Sequence, residues 1–153
     1  MGTLPSEKIG NVELFSGDPS AAAASYRGAL EQFERLARAD ASNATAARSV
    51  AIATEHLAAA LQKLGKQSEA ASHWTAALKI HGDLSTRDPG NVQAKCDTAR
   101  VNEAIGDLSS SSTAACESWS ASLSRLQPLA QTGTACASDE AMTRLANKLK
   151  RCG

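Results

Sequence analysis

The sequence predicts an all-α protein of antiparallel helix pairs stacked one on the next, and three observations lead there. No segment alternates apolar and polar as a half-buried strand does, whereas apolar residues recur at three- and four-residue intervals through most of the chain. Hydrophobic residues make up 42% but aromatics only 3%, and alanine supplies much of the apolar content. Small side chains let helix backbones approach closely, giving thin layers rather than one thick core. Finally, Tyr26, Trp74 and Trp119 hold equivalent places, the first two 48 residues apart and the second two 45. A fixed period of this size signals repeated helical units.

The elements follow in order. Leu4, Ile9, Val12 and Phe15 fit one helix over Leu4 to Phe15. Gly17-Asp18-Pro19 is a turn in which Asp18 caps and Pro19 opens the next helix, which runs to about Ala39 with Ala22, Tyr26, Ala29, Leu30, Phe33 and Leu36 on one side. Asp40-Ala41-Ser42-Asn43 breaks it, and a third helix spans about Ala44 to Leu64. Asn43-Ala44-Thr45 fits a glycosylation acceptor pattern, but its place at a helix start makes capping the better explanation. Gly65 stops the third helix. The fourth is carried by Ala70, Trp74, Ala77, Leu78, His81 and Leu84 and ends at Asp88-Pro89-Gly90-Asn91. A fifth helix spans Val92 to Leu108, a serine linker covers Ser109 to Ser112, and a sixth helix runs from about Ala114 to Ala130, with Pro128 expected to disturb its end. Gln131 to Ser138 is loop. Asp139 to Arg151 closes the chain as a helix with Lys148, Lys150 and Arg151 suited to its C-terminus.

At the offset of 48, Gly17 falls on Gly65, Ala22 on Ala70, Ala29 on Ala77, Leu30 on Leu78 and Asp40 on Asp88, while Phe33 meets His81 as the one apolar mismatch. At 45, Leu78 meets Leu123 and Ala77 meets Ser122. The units are 4–43, 44–91 and 92–130, with 139–151 as a polar cap over an open end. In the central unit the ordered positions are Leu57, Ala58, Gly65, Ala70, Trp74, Ala77 and Leu78. Here the sequence resembles the tetratricopeptide repeat family, and Ile9, Gly10, Gly17, Ala22, Tyr26, Ala29 and Leu30 match the same pattern. Small residues at Gly10, Ala58 and Gly106 would let the first helix of each pair approach its neighbours. Pro89 lies eleven residues beyond Leu78, so the units exceed the family's usual length of about thirty-four. That resembles the long-helix variant found in large bacterial signalling proteins, often behind a serine/threonine kinase domain. The resemblance implies a short right-handed superhelix of about seven helices. Because little precedes Leu4, the chain reads as part of a longer protein.

Several function classes are disfavoured. Sixteen Lys+Arg balance sixteen Asp+Glu, so no field of one sign draws nucleic acid or an anionic membrane. No stretch of roughly eighteen apolar residues is present to span a bilayer. Met1-Gly2 with Ser6 fits a short myristoylation pattern too common to carry weight, and MGTLPSEKIG lacks the regions of a secretory signal. The expected compartment is the cytoplasm, or the far side of a membrane if the parent protein carries an upstream spanning segment. Cys96, Cys116, Cys136 and Cys152 lack zinc-site spacing. They read as small buried hydrophobes, and the sharper alternative is a disulfide, with Cys136–Cys152 the favoured pair. No nucleophile, metal or phosphate-loop motif is present: Gly65-Lys66 looks like the end of a phosphate loop, but position 60 is Ala. His56 and His73 read as solvated and His81 as partly buried. No enzyme, cofactor or metal is expected.

What remains is a surface. In the family the first helix of each pair lines a concave groove that holds peptides, which implies Glu7, Asn11, Leu14 and Phe15 in the first unit. The second unit gives Ile52, Glu55, Ala59, Gln62 and Lys63, and the third gives Arg100, Glu103 and Asp107. Asn11 matches the groove asparagine that clamps a peptide backbone through its amide. The excess of carboxylates makes this face mildly acidic and favours a basic or polar peptide. The expectation is a non-enzymatic protein-binding module, regulatory or scaffolding; the alternative is a structural spacer or self-association element.

Overall fold

The computed structural model describes residues 17–153. The expected helix Leu4 to Phe15, with Glu7, Asn11, Leu14 and Phe15, lies outside the described residues. Within them are six α-helices and no strand: α1 (Pro19–Ala39), α2 (Ala44–Lys63), α3 (Gln67–Arg87), α4 (Val92–Leu108), α5 (Ser112–Ala130) and α6 (Asp139–Leu149). Two 3-10 turns, Ala135–Ala137 and Lys150–Cys152, flank α6. The chain divides into two compact units, Met1–Ile80 and His81–Gly153, with the division inside α3.

Local chemistry sets the helix ends of the first unit. Asp18 accepts the Ala21 N–H at 3.0 Å and Pro19 opens α1, where its missing N–H costs nothing. Asn43 accepts the Ala46 N–H at 2.9 Å and so caps α2. At the other end of α2, Gly65 takes φ +78°, the Lys66 N–H reaches the Leu61 carbonyl and the Gly65 N–H reaches that of Gln62. These are the two bonds of a Schellman cap, and the left-handed turn they need suits glycine. The α1–α2 pair packs through Ala22, Ala23, Tyr26 and Ala29 against an α2 whose buried residues include Ala53, Leu57, Ala58 and Leu61, whereas Leu36, expected on the same side of α1, is 58% exposed in the last turn of the helix. The Tyr26 ring lies 5.1 Å from that of His56, which is half-buried rather than solvated. On the far side Trp74 donates its indole N–H to Gln62 Oε1 at 2.7 Å.

The second unit has a core around Trp119. Trp119, Leu126, Leu129, Ala137 and Leu145 gather with Ala99 and Ala115, and Leu123, Met142 and Leu149 pack around them. Gly106 shows why the α4 position must be small. A Cβ there would stand 2.5 Å from Trp119 Cδ1 and Nε1 and 3.1 Å from the Ala115 carbonyl. Ser122, the residue that replaces the repeat's alanine, is fully buried and donates to the Ala99 carbonyl at 2.8 Å. Its hydroxyl is thereby satisfied on the neighbouring helix.

Three sequence expectations change here. The serine linker is a cap: Ser111 Oγ accepts the Ala114 N–H at 3.3 Å, and α5 starts at Ser112. Pro128 stays inside α5, which continues to Ala130. The expected Cys136–Cys152 bridge does not form. Cys96 pairs with Cys136 and Cys116 with Cys152, leaving no cysteine free. The reason is length, because α6 and its terminal turn carry Cys152 about 20 Å from the loop that holds Cys136. Since α6 runs back along α5, Cys152 arrives beside Cys116 near the start of α5 instead. Loops of 40 and 36 residues are each worth about 4 kcal/mol in the chain-entropy account, though the two overlap and do not simply add.

Candidate binding groove

Residues of α4 at helical spacing form one long wall: Val92, Gln93, Cys96, Ala99, Arg100 and Glu103. Thr134, Ala135 and Cys136 face them from the loop before α6. Ser122 and Leu126 of α5 contribute from below, and Arg144 of α6 contributes a further polar group. The space enclosed is about 620 Å³, within the roughly 300–1,000 Å³ of ordinary ligand sites. Two of the expected binding residues, Arg100 and Glu103, line it.

The groove is electrostatically balanced from behind. Asp97 is fully buried and accepts hydrogen bonds from Arg100 Nη1 at 2.9 Å and Gln93 Nε2 at 3.2 Å, with His81 Nδ1 3.6 Å from its other oxygen. His81 is itself fully buried, so the mismatch in the repeat is a polar position in the core, not a partly buried one. Glu103 receives Arg144 through two bonds, Nε at 2.7 Å and Nη2 at 3.0 Å, and Lys148 Nζ at 2.7 Å. Lys148 also donates to both oxygens of Asp107, at 2.8 and 2.9 Å, and lies 6.0 Å from the centre of the Trp119 ring. Burial alone would push the Glu103 carboxyl up, but the hydrogen bonds and charges of Arg144 and Lys148 outweigh it and hold it below its usual value. For Lys148, burial works against the ammonium, yet its bonds to Asp107 and Glu103 leave it raised.

The expected binding residues thus meet different fates. Asp107 lies one turn beyond the groove, accepts the Trp119 indole N–H at 2.9 Å and borders a smaller cavity of about 360 Å³ with Lys148 and Arg151. In the first unit, Lys63 is exposed and Ile52 and Ala59 are half-buried. Gln62 serves Trp74, and Glu55 is only 4% exposed. The reason is that α2 buries residues on more than one side, Ala53, Thr54, Glu55, Leu57 and Ala58 among them. Sequence reasoning missed Arg144 and Lys148, whose signal was a pair of cations four apart on the last helix. It also missed Thr134 and Ala135, which carry no signal. Among the described residues no cluster of three His, Cys, Asp or Glu could hold a metal ion, and no helix is long and apolar enough to cross a membrane.

No protein-family model matches the chain, and no curated protein matches it.

Proposed function

We infer that this protein is a non-enzymatic binding module of tetratricopeptide-like design, with a regulatory or scaffolding role, which holds an extended peptide in the α4 groove. The 620 Å³ groove carries this reading. The repeat geometry supports the family resemblance: Trp74 and Trp119 each donate to an acceptor twelve residues upstream, Gln62 and Asp107, and Trp119 closes over the small residue Gly106. The superhelix implied by that resemblance belongs to this proposal, as does the bacterial signalling context.

Of the basic or polar peptides that the acidic face suggested, this reading favours the polar kind. Arg144 and Lys148 already satisfy Glu103 and Asp107, so the groove favours an uncharged polar segment. Gln93, whose Nε2 serves Asp97, and Thr134, whose hydroxyl pairs with that of Thr132, each keep a further hydrogen-bonding position for its backbone, and Ala99 and Leu126 accept a small apolar anchor. Two disulfides among four cysteines favour an oxidising compartment over the cytoplasm.

Peptide display against the oxidised protein tests the reading, with selected peptides re-measured on Ala135→Trp. Ala135 is exposed on the groove rim, so the indole fills the groove without entering the core. Groove binders weaken at least about tenfold while circular dichroism stays unchanged. Peptides that bind both proteins equally would show that recognition lies elsewhere.

A further inference from the structure

Both cysteines of the first disulfide, Cys96 and Cys136, line the groove. Cys96 belongs to α4. Cys136 is the middle residue of the 3-10 turn Ala135–Ala137, which with Thr134 makes the facing wall. The hydrogen bonds of this wall stay local. Thr132 N–H and Oγ1 both donate to the Leu129 carbonyl, Ala137 N–H to Thr134 and Ser138 N–H to Ala135, while the Thr132 and Thr134 hydroxyls pair. Gly133, at φ +70°, turns the chain just before it. Ala137 gives the wall one buried methyl group in the core. The covalent bond to Cys96 is the strong tie between wall and α4.

The rest of this unit does not depend on that tie. Leu145 is fully buried, Arg144 and Lys148 bind Glu103, and Cys116–Cys152 fixes the terminal turn to α5. Removing Cys96–Cys136 therefore frees the wall and leaves α6 in place.

We propose that oxidation of Cys96 and Cys136 assembles the groove, so that the reduced chain is helical but unable to bind, a proposal that rests on the groove as the peptide site. The step is thiol–disulfide exchange with a disulfide oxidant. One thiolate attacks an oxidant sulfur and expels the other as a thiolate. The second cysteine thiolate then displaces the remaining oxidant sulfur from the mixed disulfide, closing the Cys96–Cys136 bond. Two electrons pass to the oxidant, and the two protons lost by the cysteines end on its two thiols. The competent protein is then confined to a compartment that supplies such an oxidant.

Hydrogen exchange on the full chain tests this with two double variants. In Cys96→Ser/Cys136→Ser, protection of the Ala137 and Ser138 amides falls about a hundredfold or more as the wall opens locally, and helical circular dichroism persists. A groove-selected peptide then binds at least about tenfold more weakly. In Cys116→Ser/Cys152→Ser those amides keep their protection within about threefold. Unchanged exchange in the first variant overturns the proposal, because the wall then stands without its bond. Equal loosening in both variants overturns it too, by showing general destabilisation. Peptide affinity that survives an opened wall shows that the wall does not build the site. If no displayed peptide binds the oxidised protein, the peptide reading fails, while the exchange data still decide whether oxidation sets the wall.

Discussion

Replacing Gly106 by alanine tests the close approach of α4 and α5. In an exposed helix this change stabilises by up to about 1 kcal/mol, because glycine loses more backbone freedom on folding. At Gly106 the new methyl would sit 2.5 Å from Trp119 Cδ1 and Nε1. The indole cannot simply withdraw, since Nε1 is bonded to Asp107 and the ring packs in the core cluster. The Ala115 carbonyl at 3.1 Å blocks relief by a backbone shift. Overpacking of this kind costs about 1–3 kcal/mol, and displacing the indole puts its hydrogen bond to a carboxylate at risk, worth about another 1.5 kcal/mol. The net expectation is a loss of about 1–3 kcal/mol. Gly82 of α3 is the control: a Cβ there meets nothing within 4 Å, so Gly82→Ala gains up to about 1 kcal/mol. Urea titration of both variants in a Trp74→Phe background reads stability from the fluorescence of Trp119 alone. The two midpoints move in opposite directions, with Gly106→Ala lower by roughly 0.5 M or more and its native emission red-shifted. If Gly106→Ala stabilises as Gly82→Ala does, the close contact between α4 and α5 is refuted.

Two further expectations concern polar contacts. Against the burial that would raise it, the bonds from Arg144 and Lys148 hold the folded Glu103 carboxyl below its ordinary value of 4.5, so its contribution is present above about pH 4.5 and is lost as pH falls through the lower folded value. Glu103→Gln costs about 1–2 kcal/mol at pH 7, and its melting temperature falls less than wild type between pH 5 and 3; equal acid sensitivity would place the titrating group elsewhere. Gln62→Leu removes the acceptor of the half-buried Trp74 indole and costs about 1 kcal/mol. A double-mutant cycle with Trp74→Phe should return a coupling of at least about 0.5 kcal/mol, and a coupling near zero refutes the bond.

How much of this was legible varies with the range of the interaction. Asp18, Asn43 and Gly65 announced helix ends because a cap is satisfied within four residues of itself. The apolar period placed α1 to α5 to within a few residues, and Gly106 was recognisable as a small position before Trp119 was seen against it. Ser111 reads as linker in the sequence because a capping serine and a flexible one look alike in a run of four. The family resemblance implies Glu55 as a groove residue, but its burial depends on what packs around α2.

By itself the sequence determined that the described residues are helical and, to within a few residues, where α1 to α6 start and stop. Those properties rest on hydrogen bonds and side-chain periods that close locally. Only the tertiary structure decided which cysteines pair, which cations neutralise Glu103 and Asp107, and that a loop wall faces Arg100 across a groove. Each of those joins residues more than thirty positions apart, and the Cys116–Cys152 bridge and the ion pairs of Arg144 and Lys148 depend on the direction in which α6 returns along α5. No local period encodes that direction. It is set by the burial of Leu145, Met142 and Leu149 against the core around Trp119.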